Sequence, residues 1–579
     1  MKLFVALLMM LLTVPVMAQE GGHPYCGVDH SPEAHANLAA FHAARAEGRL
    51  PVARKSHVPP EIGDVEVFNV QEGANWTPLN FTLKDKTDAY HLWVENGELA
   101  NGNVTDGEIA GLRDAMFTAT PAASFDPSAG ILQNNHAVFG LPPNYDGDGI
   151  VDILLYDIGF GNTSTLGYVS SADLNPNANP GVGNQADVLY LDSSQGTRNL
   201  TTLSAIAAHE YTHLIHFNFG FDDTFISEGL AEYAMVMNGY FWRGIDYLVN
   251  PAEYGLELFG WRTEPNGGPN ARDYQRGGLF FTYVATQIGP MATGALIRTD
   301  TDFDGGGPDV ESKGAVGLQA VLEPVGTSLA EMVTGFHLAN FLNDVGLDPR
   351  YGYPMPERQS LEAPATAVID GQATFNVEVP EREINSGAVR YITFENVADI
   401  SINIDALAAE ILLDFVRGRL APRVILERDD GSVSVEAIQA GTRSWKFNGM
   451  FDRVTLVVVH SEPDVSGSKF TYGASWSREA NPVANEEEPV LPTQITLAQN
   501  FPNPFNPSTA IRFVLPTAMP VRLVVYDALG RRMAVLADGL RPAGTHEVRL
   551  DATDWPSGLY LYTLETPTRQ RTRTMRLVK

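Results

Sequence analysis

Apolar and polar positions divide this chain into stretches of different rhythm. Directly after Lys2 comes an unbroken apolar run, LFVALLMMLL, closed by Pro15 and followed by Val16, Met17 and Ala18. A basic start, an apolar middle and small residues before Gln19 are the layout of a secretory signal peptide, expected over residues 1–18. The run falls short of the roughly 20 residues that cross a bilayer, and nothing downstream approaches that length, so no membrane span is expected after signal removal. Residues 19–64 are polar and rich in Ala and His, an N-terminal segment that reads as a propeptide. From 65 to 360, strand-like runs such as ILLYDI and VLYLD mix with helical periodicities and Gly/Asn/Pro loops, the pattern of an α+β unit. Within it, residues 186–192 (ADVLYLD) alternate as an edge strand would, and such an edge would pair with the main chain of an extended substrate. Residues 365–478 return short strand runs (VRYITF, RVILE, RVTLVVV, FTYGASW) between turn residues, which predicts a β-sandwich. Three adjacent glutamates and three prolines make 479–493 a solvated linker, and residues 494–579 again alternate strands with Gly/Pro turns.

Length agrees with several units: 579 residues at about 150 per domain give three or four. With 44% apolar and 19% charged residues, neither a disordered nor a fibrous chain fits. The 70 acidic and 39 basic side chains leave a net charge of −31, which repels a phosphate backbone and excludes nucleic acid as a partner. An exported chain with one cysteine forms no internal disulfide, so its stability comes from cores, metal ions or both.

The chemistry concentrates in HEYTHLIHF, residues 209–217, behind the helix-favouring TTLSAIAA. His209 and His213, four apart on a helix, project from one face and can bind one zinc ion. Glu210 lies beside them, placed to take a proton from a zinc-bound water attacking a carbonyl and to pass it to the leaving amine. His216 sits about 10 Å along the axis from His209, too far to join that tetrahedron, and is assigned to packing or substrate lining. A catalytic zinc needs a third protein ligand, and the run FISEGLAEY offers Glu228 and Glu232 one turn apart on a second helix.

This arrangement resembles the gluzincin metallopeptidases, and most closely the hyicolysin-like secreted proteases. The resemblance implies a zincin-like fold, Glu228 in its GluGly setting as third zinc ligand, and Glu232 holding a ligand histidine from behind. The spacing leaves an alternative open, because Glu232, with eighteen residues between it and His213, has the ligand separation of the aminopeptidase branch. DYQRGGLFF, residues 273–281, resembles that branch's YxKG segment with Arg276 in place of Lys. By that likeness Tyr274 would stabilise the developing oxyanion. The GxMEN motif that binds a substrate amine is absent, so endopeptidase action leads.

Three features stand apart from this centre. NYDGDGIVD spaces Asn144, Asp146, Asp148 and Asp152 as calcium loops space their oxygens, with Gly149 at the sharp turn and Leu155 where an EF-hand carries Glu. Asp300, Asp302, Asp304 and Asp309 form a looser acidic cluster that reads as a solvated turn. Cys26 faintly resembles the cysteine switch of some metzincin propeptides, whose thiolate fills the open zinc position; the alternative is a bystander thiol.

NFPNPFNPS (500–508), YDALGR (526–531) and SGLY (557–560) closely resemble the C-terminal sorting domain of proteins exported by the type IX secretion system. That implies a small Ig-like all-β domain over 494–579, a dependence on the type IX machinery, and a secreted or cell-surface location in a Gram-negative bacterium. The expected whole is a multidomain secreted zinc metalloendopeptidase, an α+β zincin-like domain followed by a sandwich and the sorting domain, acting on proteins or peptides. The alternative is a catalytically silent adhesin whose sandwich binds while the zincin domain serves as scaffold.

Overall fold

Strands whose side chains are apolar on both faces must be covered on both faces, and they form the middle of the first sheet. It contains β1 (Tyr25–Cys26), β2 (Val65–Glu72), β3 (Asn75–Lys86), β4 (Tyr90–Glu95), β5 (Val151–Tyr156), β6 (Thr165–Tyr168) and β7 (Val188–Asp192), in spatial order β1-β6-β7-β5-β4-β3-β2. Strands β4, β5 and β7 run parallel, whereas β6 lies antiparallel to β7. This computed structural model describes residues 25–26, 29–50, 59–72, 75–158, 165–196, 199–220, 222–240, 247–263, 270–303, 308–309, 312–355, 358, 361–371, 376–405, 420–438, 444–462, 468–477, 495–498, 500, 503, 505–515, 519–527, 531–541, 544–567 and 570–578. The signal peptide, the 479–493 linker, Asp304 and the Cys26 side chain lie outside the described residues.

Residues 186–192, expected at an edge, are instead interior: β7 sits between β5 and β6 with all five residues buried. The reason is legible in its composition. Leu189 and Leu191 join the core beneath the helices, while Val188 and Tyr190 join a second core with Phe68, Phe81, Trp93 and Tyr156 on the other face. Two apolar faces leave no side for water, and the sheet continues past β7 through β6 to β1 at its edge.

The helices of this unit are α1 (Pro32–Ala46), α2 (Asn96–Ala100), α3 (Asp106–Arg113), α4 (Ile131–Phe139), α5 (Ser193–Gly196), α6 (Leu200–Phe217), α7 (Thr224–Met237), α8 (Pro251–Tyr254), α9 (Ala271–Ile288), α10 (Pro290–Arg298), α11 (Gly314–Leu322) and α12 (Leu329–Leu342). Helix α6 starts at Asn199, whose side chain accepts from the Thr202 N–H, and is buried from Leu203 to Phe217. Behind it the amide of Asn135 donates to Ala208 O and Thr212 Oγ1, and Asn238 donates to Asn135 Oδ1 at 2.7 Å, so polar groups in the core are paired across α4, α6 and the end of α7.

The stretch read as a sandwich forms β8 (Ala367–Asp370), β9 (Asn376–Ile384), β10 (Val389–Asp405), β11 (Arg423–Arg428), β12 (Val433–Ala437), β13 (Ser444–Val459) and β14 (Ser468–Ser477). They order as β12-β11-β13-β10-β14-β9, with β8 pairing parallel to β10. The sheet has its own core around Phe394, Val454 and Trp476. It also joins the helices: Val389, Tyr391, Val457 and Val459 belong to the first core, the Tyr391 hydroxyl donates to His337 O, and His337 Nε2 meets Gly387 O at 2.8 Å. Residues 1–480 therefore form one compact unit and 481–579 a second.

The second unit is all β: one sheet of β15 (Thr496–Leu497), β16 (Ser508–Leu515) and β19 (Gly544–Asp551), and one of β18 (Arg532–Arg541), β17 (Met519–Asp527), β20 (Gly558–Glu565) and β21 (Gln570–Leu577). Ile511, Phe513, Leu523, Val525, Tyr562 and Leu564 fill the space between them.

Candidate metal centre

The i, i+4 spacing on α6 turns His209 and His213 to one side, and their Nε2 atoms lie 3.0 Å apart. Glu228 on α7 brings Oε2 to 3.2 Å from His209 Nε2 and 3.3 Å from His213 Nε2. Ligand atoms about 2.0–2.1 Å from a tetrahedral ion stand about 3.3 Å from one another, so the three separations fit one cation, and two His with one Glu is a donor set that catalytic zinc uses. Glu232, one turn further along α7, points its Oε1 at the opposite ring nitrogen, 3.3 Å from His209 Nδ1. The two glutamates thus take different positions on one imidazole, Glu228 at the converging nitrogen and Glu232 behind it.

Small residues let these helices come so close. A Cβ on Gly278 of α9 would lie 2.7 Å from Glu232 Cβ, and one on Gly277 would lie 3.0 Å from the Gly229 Cα. Helix α9 therefore presses directly on the stretch of α7 that carries both glutamates. On the other side, a Cβ on Gly167 of β6 would meet Ile206 at 2.8 Å and Glu210 Cγ at 3.0 Å. Glu210, fully buried on α6, accordingly packs its side chain against β6 at Gly167. None of these glycines carries a signal in isolation; GlyGly in α9 could have been read as a close-approach site.

Burial and charge shape the acid–base state of the group. Burial favours neutral Glu228, but the imidazoles of His213, His209 and His30 hold it well below the usual carboxylate range. His209 is likewise opposed by burial and pushed up to about 9 by Glu228 and Glu232, whereas burial keeps His213 below its ordinary value. His216 does not join the trio; buried and held well down by desolvation, it shares Ser227 with His213, the Ser227 Oγ lying 3.3 Å from the Nδ1 of each. Ser227 was not singled out in the sequence, because a serine in a helix carries no pattern of its own.

Tyr274 is buried, its ring centroid 6.2 Å from that of His209 and 4.9 Å from Trp261. Arg276, at the lysine position of the resembled motif, points away into structure: Nε donates to Leu258 O and Nη1 lies 2.8 Å from Asp273, which Arg262 also clamps. This network fixes the start of α9.

The other expected sites behave differently. Asp152 does not join Asn144, Asp146 and Asp148: its place on β5 beside His91 of β4 gives Oδ1 the Trp93 indole N–H at 2.8 Å and His91 Nδ1 at 3.4 Å. The loop is held by its own bonds, Gly149 N to Asn144 Oδ1 at 2.9 Å and Ile150 N to Asp148 Oδ1 at 2.7 Å, with buried Asp187 receiving the N–H groups of Asn144 and Tyr145. Asp300, Asp302 and Asp309 do converge, but Asp309 Oδ2 accepts from Thr301 and Asp302, and Asp300 Oδ2 lies 3.1 Å from Arg298, as a closed turn requires.

In the second unit two of the motifs are held by hydrogen bonds, one set local and one long-range. Asp527 accepts from Arg531 N and Nε at 2.9 and 2.6 Å, which closes the YDALGR turn. The Tyr562 hydroxyl donates to Ala498 O and accepts from Asn500 N, and Asn500 Nδ2 donates to Thr509 Oγ1, which ties NFPNPFNPS to the strands. Residues 499–578 match the family described as secretion system C-terminal sorting domain. The chain carries a type IX sorting domain. That domain marks a secreted or cell-surface protein and implies interaction with the type IX machinery, and among the described residues no helix is long and apolar enough to cross a membrane. No curated protein matches the chain. Among solved structures it is similar in part to PorZ of the type IX secretion system of Porphyromonas gingivalis, with 15% identity over 19% of this chain and 14% of that one and a TM-score of 0.11. Dimeric latent PorU from Porphyromonas gingivalis shares 15% identity over 35% of this chain and 20% of its own, TM-score 0.12. A beta-1,2-glucanase from Parabacteroides distasonis shares 9% over 35% and 37%, TM-score 0.15. The chain thus spans well under half of each, and at such scores none of these likenesses bears on fold or activity.

Proposed function

We propose that the 1–480 unit is a zinc-dependent metalloendopeptidase with a gluzincin-like centre, exported by its sorting domain to act on proteins or peptides outside the cell. One observation carries the reading: His209 Nε2, His213 Nε2 and Glu228 Oε2 converge with mutual separations of 3.0 to 3.3 Å. A zinc ion held there supplies a Lewis acid that polarises a carbonyl and acidifies water. The remaining work belongs to the chain. Glu210, on α6 and packed against β6, takes the proton of the attacking water and returns it to the leaving amine. Glu232 and Ser227 fix the ring orientations of the two histidines from behind, and Tyr274 is assigned to the developing oxyanion. Burial of the whole group removes competing water and strengthens each of these interactions.

Glu210→Gln tests the reading, because it removes the base and keeps the shape. The variant should keep its zinc, shown by elemental analysis, and lose casein hydrolysis by about 100-fold or more. Undiminished hydrolysis by zinc-loaded Glu210→Gln would refute it.

A further inference from the structure

The N-terminal segment reaches the candidate centre through three separate contacts. Its strand β1 pairs in parallel with β6, Tyr25 opposite Thr165 and Cys26 opposite Gly167, so it covers β6 at the residue that lies against Glu210. Its helix α1 buries Ala34, Leu38, Phe41 and Ala44; Asn37 Nδ2 donates to Ser171 Oγ and Asn37 Oδ1 accepts from Asn175 Nδ2, and His42 Nε2 meets Phe217 O, of the last residue of α6, at 3.1 Å. Between strand and helix, Asp29 accepts from the Ser31 N–H and hydroxyl, and Ser31 caps α1. That turn delivers His30, whose Nε2 lies 3.7 Å from Glu228 Oε1, the carboxylate oxygen partnering the Oε2 that meets His209 and His213. The His30 side chain is 17% exposed, whereas those of His209, His213 and Glu228 are 0%, 1% and 3% exposed, so His30 is the member of this cluster nearest to solvent.

We propose that this segment is an intramolecular plug that keeps the centre latent, with His30 as its site-facing residue. The proposal rests on the zinc-peptidase reading. A catalytic zinc keeps one position open for water or substrate. An imidazole held beside a ligand carboxylate competes for that position, and a strand on β6 competes for the main-chain groups an extended peptide would use. Helix α1 sets the effective concentration: tied through Asn37 and His42 to the unit it inhibits, it keeps His30 in place without a strong contact of its own. The thiol of Cys26, the residue that resembles a cysteine switch, is not needed for this device.

The test uses the full-length chain, zinc analysis and a peptide hydroxamate, a chelating probe whose affinity is read by calorimetry. Wild type should hold one zinc and bind the probe weakly. His30→Leu, similar in size and unable to coordinate, should hold the same zinc and bind about 10-fold tighter or more, as expected for a site that is open in wild type no more than about a tenth of the time. His30→Asp, which restores a coordinating group, should bind as weakly as wild type, and Cys26→Ser should change nothing. Unchanged probe affinity in zinc-loaded His30→Leu would overturn the plug and leave the peptidase reading standing. Equal tightening by Leu and Asp would overturn the site-facing role, and tightening by Cys26→Ser would move it to the thiol. A wild-type chain without zinc would remove the underlying reading and the plug with it.

Discussion

Position on one imidazole separates the two glutamates of α7. Glu228 meets the nitrogen that faces His213, and Glu232 meets the nitrogen behind it, so equal chemistry serves two purposes. Glu228→Gln should abolish metal retention, whereas Glu232→Gln should weaken affinity about 10 to 100-fold; competition with a chromophoric chelator measures both. The reverse order of effects would exchange their roles. The sequence could place His209 and His213 on one helix face because four residues are a local distance. It placed Glu228 ahead of Glu232 only through the GluGly setting of the resembled family and left the spacing alternative open, since both lie across a loop whose path is decided by packing.

At the scale of elements, the centre depends on how closely α9 approaches α7. Gly278→Ala would put a methyl 2.7 Å from Glu232 Cβ, backbone-borne atoms on both sides that cannot swing away. The helices must separate, at a cost of about 1 to 3 kcal/mol, and the glutamates shift with them. The expected outcome is a lower melting temperature together with weaker metal binding. Gly107→Ala on exposed α3, where the nearest atom is 3.9 Å away, serves as the control and should leave metal affinity unchanged. Likewise β7, read from its alternation as an edge, is interior because Val188 and Tyr190 find a second core of aromatic side chains on the far face. A single strand does not announce a core built from residues about 30 to 120 positions earlier.

For the whole molecule, stability and address are separable. Buried Asp173, which accepts from Tyr190 and Asn184, is pushed up to about 7, chiefly by desolvation, from 3.8. A carboxyl raised on folding contributes stability that is full below its unfolded pKa and lost as pH rises through the folded one. Between about pH 4 and 7 the melting temperature of Asp173→Asn should therefore decline less with rising pH than that of wild type, as scanning calorimetry would show; parallel profiles would contradict the assignment. The address lies in the other unit: deletion of 494–579 should leave the chain in the periplasm, detected by fractionation and immunoblot, and normal release would show that export uses another signal.

Short-range patterns were legible without coordinates. The HEYTH spacing, the NFPNPFNPS, YDALGR and SGLY runs and the alternation of 508–515 or 519–527 all express relations within one turn or one strand, where backbone geometry alone sets direction. The fold alone decided that Asp152 leaves the Asn144 loop for Trp93, that β6 rather than β7 is the outer partner of β1, and that His30 arrives beside Glu228. Each of these joins residues tens to hundreds of positions apart, and such contacts form only where buried area outweighs the entropy of closing the intervening chain, a balance written in the packing of the whole unit and not in any one segment.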